Sequence, residues 1–515
     1  MGKLGLLLLL LLLVSLFALK LNNRARRAKR YLPANGFRGI WLNYSDSVWN
    51  CFRAKSAIRD ACFGFSGSLF TFSLLGQWVV LAMEKDHVRE LCNAPEDVLS
   101  MEAAAEELLQ LRHTVGPLFS DELYHIPVIR TKLNLNLEEI FPPLVDEIHA
   151  AFSDIINTQI GEADWASIKV LPTFSRIICR ATNRILVGSH LCRNEEYCKL
   201  ASGFTNDVLS IGPVLKFLVP KSLRPLVGMA YRSLFSHQKR MEKLLIPLIK
   251  DRRRLRHDPV SDIPNDMLSW LMEASPLHEE YSTESLSMRM LNVNFVALHT
   301  TTKTFTHAIY CLASQPQYIS ILREEVEQQL DSGNTTTWTR EALGRCVKLD
   351  SFLKETLRLH GLGAIWMPRL AVSDFSFSDG THIPPGYFVA TAATAVHEND
   401  ALYENARDFN GLRFSSMRKG TLDRPETEKD WQYRMTSNSE SYLAFGGGRH
   451  LCPGRFFASM EMKCLMAYLV LHYDLKTLKD GVRPPDEWFG PTSSPARNAR
   501  VLFHRRQDFP SASMD

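Results

Sequence analysis

The chain has 515 residues, 45% apolar and 23% charged, with a formal net charge of +4. These proportions describe an ordinary globular protein, and so small a charge does not suggest nucleic-acid binding. The ten cysteines form neither a disulfide framework nor a Cys-x-x-Cys zinc pair, which points to reduced thiols in a reducing compartment.

In chain order, residues 4–19 are a leucine-rich apolar run between Lys3 and Lys20. As a helix this run spans about 24 Å, short against a hydrocarbon core of about 30 Å. Leu21 extends it and the flanking lysines can snorkel. The basic cluster Arg24, Arg26, Arg27, Lys29, Arg30 follows, and the positive-inside rule then puts the body in the cytoplasm. The rival reading is a cleaved signal peptide, but no clean Ala-x-Ala site follows. Residues 1–21 are therefore expected to be a single-pass membrane anchor and residues 22–45 a basic linker. The sequons at Asn43 and Asn334 are then accidental.

Residues 65–82 read as a hairpin turning near Gly76, and residues 84–92 as a helix. Phe119 precedes a segment, Tyr124 to Arg130, in which an exposed helix arginine is the bland reading of Arg130. Residues 137–200 are helix-rich. Residues 208–231 are apolar and broken by Pro213 and Pro220, and residues 239–257 form a basic helix kinked at Pro247. Residues 286–313 are a long, mostly apolar helical run without glycine or proline, containing Val293 and then Val296-Ala297-Leu298-His299-Thr300-Thr301-Thr302. Threonines in such a helix often bond back to carbonyls one turn earlier, and a lone histidine is more often a satisfied core residue than a ligand. Residues 350–360 read as a helix with Glu355 and Arg358 on one face; were that pair exposed, it would contribute under about 1 kcal/mol. A strand containing Ile365, Trp366, Met367 and Arg369 follows, then a small sheet with tight turns to Gly386. Residues 415–441 read as an irregular meander and residues 508–515 as a disordered tail.

The most informative stretch is Phe445-Gly446-Gly447-Gly448-Arg449-His450-Leu451-Cys452-Pro453-Gly454-Arg455, followed by a helix-like apolar run. A cysteine beside cations at a helix start has its thiolate favoured, which makes Cys452 a candidate nucleophile or metal ligand. The alternative is a small buried hydrophobe in an ordinary glycine turn. A phosphate cradle is disfavoured, because neither the Gly-x-Gly-x-x-Gly nor the Walker spacing is present.

This string resembles the haem-binding signature of the cytochrome P-450 family, Phe-x-x-Gly-x-Arg-x-Cys-x-Gly, with Phe445, Gly448, Cys452 and Gly454 in place and His450 where the arginine usually stands. The resemblance covers essentially the whole chain. It implies a mainly α fold with small β-sheets (α+β), one catalytic domain over residues 46–507 and one N-terminal transmembrane helix. It implies haem b, ligated by Cys452. His450, Arg130 and Arg369 are then expected at the haem propionates, with His125 a weaker candidate; Ile126 stands where the family has tryptophan in Trp-x-x-x-Arg. Gly446, Gly447 and Gly448 are expected to make room for the porphyrin. The 297–302 segment is similar to the family's oxygen-activation segment. Thr300 takes the hydroxyl's place, His299 replaces the usual acid as a proton shuttle near neutral pH, and Ala297 holds the small position over the haem. Glu355 and Arg358 match Glu-x-x-Arg, with Arg413 as third member although the usual Pro-Glu before it is Gly411-Leu412. Ile365, Trp366, Met367, Phe119 and Val293 are the expected pocket walls. Residues 208–231 are expected to roof the pocket and meet the membrane surface.

The activity implied is a monooxygenase at the endoplasmic reticulum membrane, its catalytic domain cytosolic. Electrons would come from NADPH through cytochrome P-450 reductase, with cytochrome b5 as a further partner, docking on a basic face that includes Arg449, Arg455 and Lys463. The apolar walls point to a lipophilic substrate, a terpenoid of secondary metabolism first, a sterol or fatty acid second. A haem-thiolate isomerase or dehydratase working without O2 is the alternative class.

Overall fold

The run without glycine or proline becomes a 32-residue helix, Thr283–Ser314, opened by the Ser282 hydroxyl accepting from Ser285 N. It forms the spine of the molecule. Helices Val170–Val187, Glu195–Leu218 and His237–Arg256 pack along it, as does the start of the C-terminal sheet. Their shared core includes Phe152, Phe174, Phe305 and Tyr473, all buried. The computed structural model describes residues 34–35, 52–61, 69–74, 77–116, 123–234, 237–256, 262–275, 282–330, 338–418 and 428–506. The expected anchor, residues 1–21, lies outside these. So do all of the expected linker except residues 34–35, Phe119 and the C-terminal tail. Among the described residues no helix is long and apolar enough to cross a membrane.

The hairpin is formed by Leu69–Leu74 and Gln77–Ala82, with Thr71 opposite Val80. It continues through the parallel strand Phe388–Thr391 to Trp366–Ala371 and Leu99–Ser100, in a six-stranded sheet that begins with Ala34–Asn35. A register shift between Trp366 and Arg369 interrupts the pairing there, and Met367 takes φ +52. A three-stranded sheet joins Tyr473–Thr477, Arg500–Arg505 and Ala166–Lys169. The fold is thus mainly α with small sheets.

Two local expectations differ from the structure. Glu195–Leu218 runs as one helix through Pro213 rather than breaking there. At Gly212 a Cβ would stand 2.5 Å from Leu109 O, so the glycine lets this helix lie directly on the end of Met101–Leu109, and tertiary packing outweighs the missing N–H. The basic helix expected around Pro247 is His237–Arg256, with that proline inside it. The strand Ala166–Lys169, inside the stretch read as helix-rich, exists because Arg500–Arg505 pairs with it.

Candidate active site

Cys452 sits just before the helix Arg455–His472. Its N–H donates to Phe445 O at 2.9 Å, Arg455 Nη1 donates to its carbonyl at 3.0 Å, and Asn134 Nδ2 donates to Pro453 O at 3.2 Å. Burial pushes the thiol up, against the amides of Gly454 and Arg455 and the Arg455 charge, so the cations alone do not set a thiolate as the sequence suggested. A coordinating metal would favour the deprotonated sulfur there. The triple glycine also has a use within the protein itself. A Cβ at Gly448 would stand 2.1 Å from Cys92 O, and one at Gly447 2.4 Å from Cys92 Sγ. Gly446 and Gly448 take φ +80 and +60. Gly447 and Gly448 thus make room for the end of helix Lys85–Asn93.

Beside this loop, Arg369 is only 2% exposed, and burial lowers its proton affinity. Its Nη1 donates to Pro368 O at 3.1 Å, and among the described residues no carboxylate pairs with it. Arg130 Nη2 reaches Arg449 O at 3.5 Å. His450 is held low by burial first, and then by both Arg369 and Arg130. Two arginines therefore converge on one side of the loop. His450 Nε2 meets Glu96 Oε2 at 2.9 Å. Burial would raise Glu96, but the Ser100 hydroxyl, the amides of Glu102 and Met101, and His450 hold it low.

On the long helix, Val296 is 51% exposed in an otherwise buried stretch, and Ala297, His299 and Thr300 are half-buried around it. The Thr300 hydroxyl donates to Val296 O at 3.0 Å, the back-bond one turn earlier. Burial, then Lys303, push His299 down to about 3, so near neutrality it is a neutral ring rather than a titrating shuttle. Lys303, one turn on, is pushed down by burial to about 8. Ile365 and Trp366 are half-buried, while buried Met367 turns its sulfur to 4.0 Å from Cys92 Sγ, toward the cysteine loop. Val293 is buried on the long helix.

Glu355 is fully buried on helix Val347–Leu359. It accepts from Arg358 Nε at 2.8 Å and Nη2 at 2.7 Å, from Arg413 Nε at 3.1 Å and from Asn410 N at 3.1 Å. Lys463, expected on the docking face, is 7% exposed and points inward, 3.5 Å from Asp350.

Two groupings were missed. His397 stands between the Glu355 helix and the cysteine loop: its Nδ1 meets Arg358 O at 3.0 Å, and its Nε2 accepts from Leu443 N at 3.0 Å. His307 and His360 both meet Asp486, at 3.3 and 3.0 Å, and so offer three ligand-type atoms together. Arg483 already supplies a cation there, at 2.8 Å from both His307 Nδ1 and Asp486 Oδ1. This cluster is therefore a latch between the long helix and the hairpin Asp486–Phe489 and Thr492–Pro495. Single histidines and aspartates carry no local signal of such a role.

The cytochrome P-450 family profile matches residues 50–503. The chain belongs to the cytochrome P-450 family. It is 39% identical to cytochrome P-450 monooxygenase 151 of Postia placenta over 482 residues, 93% of this chain and 94% of that protein. It is 35% identical to monooxygenase 103 of the same fungus, over 97% of this chain and 98% of that protein. It is 30% identical to cytochrome P-450 monooxygenase atmQ of Aspergillus flavus, over 95% and 92%. The chain is a monooxygenase of this family, and membership implies haem iron, a redox partner and a small-molecule substrate. The residues present fit the cofactor: one sulfur at a helix start, and beside it Arg369 and Arg130, whose charges have no carboxylate partner among the described residues. Two propionates would provide that partner.

Proposed function

We propose that this P-450 is anchored in the endoplasmic reticulum membrane and oxygenates an apolar terpenoid, with electrons from NADPH-cytochrome P-450 reductase and with cytochrome b5 as a further donor. The observation that carries the reading is the open, apolar Val296 face beside Thr300, on the helix that matches the family's oxygen-activation segment. Cys452 would hold a haem, and Arg369 and Arg130 would meet its propionates; the haem would supply the oxygen chemistry. The chain's own part is positioning. Val296, Ile365 and Trp366 offer apolar contact, and Thr300 presents a hydroxyl whose lone pairs remain free to accept. Neutral His299 stands next to it, with Lys303 as the nearby group that exchanges protons close to neutral pH.

Entry from lipid is supported by exposed Leu223, Leu226, Val227 and Met229 along the segment that ends in helix Arg224–Leu234. Exposed Arg449, half-buried Arg455 and the exposed Phe456 ring under it offer a basic and aromatic docking face for an acidic reductase. The test is NADPH and O2 consumption by the full-length protein with reductase and a terpenoid panel, products being identified by mass. A terpenoid-dependent rate with an oxygenated product is expected. Oxidation of sterols or fatty acids only would refute the substrate class. A ferrous–CO spectrum lacking the red-shifted thiolate band, or one unchanged in Cys452→Ala, would refute the ligand assignment.

A further inference from the structure

One turn beyond Val296, away from Thr300, lies Asn292. It is 2% exposed, and neither atom of its carboxamide has a hydrogen-bond partner among the described residues. This is unusual, because a buried amide is normally paired. Asn294, two residues on, is half-satisfied by contrast: its Nδ2 donates to Met290 O at 2.9 Å and Tyr197 Oη at 3.3 Å, while its Oδ1 has no partner among the described residues. Asn292, Val296 and Thr300 follow at i, i+4 and i+8, so they share the side of the helix that opens at Val296. One turn further, the Arg289 guanidinium lies 3.9 Å over the Tyr124 ring, and the neighbouring His125 is buried with an unpartnered Nδ1. Burial and Arg289 push His125 down to about 4, so it adds a neutral ring rather than a charge. The apolar face beside Thr300 thus ends in a cluster of polar groups. At 1.5 Å per residue, Asn292 lies about 12 Å along the helix from Thr300.

We propose that Asn292 is the polar anchor of the substrate cavity, hydrogen-bonding a hydroxyl or carbonyl at the end of an apolar substrate remote from the carbon that is oxidised. A carboxamide offers one acceptor and two donors, so it takes either oxygen function. Arg289 excludes a cationic group from the same place. A hydrocarbon would leave the amide buried and unpaired, which makes the site select for an oxygenated framework. The inference rests on the reading that the Val296 face lines the substrate cavity, and it names a specificity-determining residue there.

The test titrates the full-length, haem-loaded protein with three matched pairs: abietinol and abietadiene, 5α-androstan-3β-ol and 5α-androstane, 1-dodecanol and dodecane. Binding is read from the substrate-induced shift of the haem absorption band, without turnover. In whichever framework binds, the alcohol is expected to bind about 10- to 100-fold tighter than its hydrocarbon. Asn292→Leu is expected to abolish that preference while hydrocarbon binding stays. The ferrous–CO band confirms that the variant is folded; should Asn292→Leu fail to load haem, Asn292→Thr takes its place. An equal affinity for alcohol and hydrocarbon in the natural protein, or a preference that survives the substitution, overturns the proposal. Binding of the androstane or dodecane pair alone would instead refute the terpenoid reading and still decide the anchor. Silence from all three pairs overturns both.

Discussion

Replacing Glu355 with alanine removes one carboxylate but strands two cations. Arg358 and Arg413 are 2% and 5% exposed, and Glu355 is the carboxylate that both of them meet. Neither arginine can turn to water, because the rest of each is tied to backbone. Arg358 Nη1 donates to His397 O and, at 2.6 Å, to Ala406 O. Arg413 donates to Glu404 O, to Asp408 O at 3.1 Å and to Asn405 O at 3.3 Å, around a turn in which Asn405 holds φ +47. Breaking a buried pair by deleting one partner costs about 3–5 kcal/mol, whereas an exposed helix pair at this spacing would cost under about 1. Against a total stability of about 5–15 kcal/mol the change is large. At about 2 °C per kcal/mol it lowers the unfolding midpoint by roughly 6–10 °C. Thermal unfolding of the haem-loaded protein, followed by near-ultraviolet dichroism and by the haem band, measures this. A cycle of Glu355→Ala, Arg413→Ala and the double variant should show about 0.5–3 kcal/mol of coupling. A fall of less than about 2 °C for Glu355→Ala, or additive single variants, would show that the triad does not bear on stability and refute the reasoning.

Arg369→Leu removes the buried cation without a carboxylate partner and should speed haem loss to apomyoglobin about tenfold, a cost of about 1.4 kcal/mol, while apoprotein stability holds or rises; unchanged haem loss argues against a propionate contact. His397 is pushed down to about 3 by burial and then by Arg358, and His360 to about 4 by burial, so both are neutral in the fold. Their stabilisation is fully present above about pH 6.5 and is lost as pH falls through those lower values, because the unfolded chain binds the protons first. His397→Gln should flatten the acid limb of the unfolding midpoint against pH, and an unchanged limb would exclude the histidine from it. Thr300→Val should leave the ferrous–CO band intact but divert consumed NADPH from product to peroxide by about tenfold or more, as loss of a hydroxyl that accepts from and positions the proton-delivering group does; unchanged coupling would leave Thr300 with only its bond to Val296 O.

What could be read in advance was local. The hairpin from Leu69 to Ala82 follows from alternation and a glycine turn, and the long helix from its lack of breakers. Cys452, Glu355 and Arg358 were legible because their neighbours in sequence carry the pattern. What could not be read depends on segments far apart in the chain. Gly447 and Gly448 are small because of Cys92, about which the glycine run says nothing. Lys463 looks like a surface cation until Asp350 is placed beside it. The four-residue strand Ala166–Lys169 has no strong signal of its own and is held by a partner near the C-terminus. Asn292 is likewise silent in sequence, since an asparagine in a helix is ordinary and only its burial without a partner is not.

The same distant contacts explain why Glu-x-x-Arg and the cysteine loop act as one unit. Arg358, clamped by Glu355, offers its carbonyl to His397 Nδ1 at 3.0 Å, so the ring carries its proton there and leaves Nε2 to accept from Leu443 N at 3.0 Å. Leu443 O accepts from Gly446 N at 2.9 Å, and Phe445 O from Cys452 N at 2.9 Å. A short series of hydrogen bonds thus runs from the triad to Cys452, the proposed haem ligand, with neutral His397 as its middle piece. In parallel, Lys354 Nζ donates to Gln432 O, Arg434 O and Ser437 Oγ, and Asp350 accepts from Met435 N, which ties the preceding segment to the same helix. A loop that contains three glycines would otherwise sample many backbone states, and these bonds select one. None of these bonds involves Thr300, Val296 or Asn292. The Val296 face, proposed to line the substrate cavity, is therefore free to change without loosening the Cys452 loop.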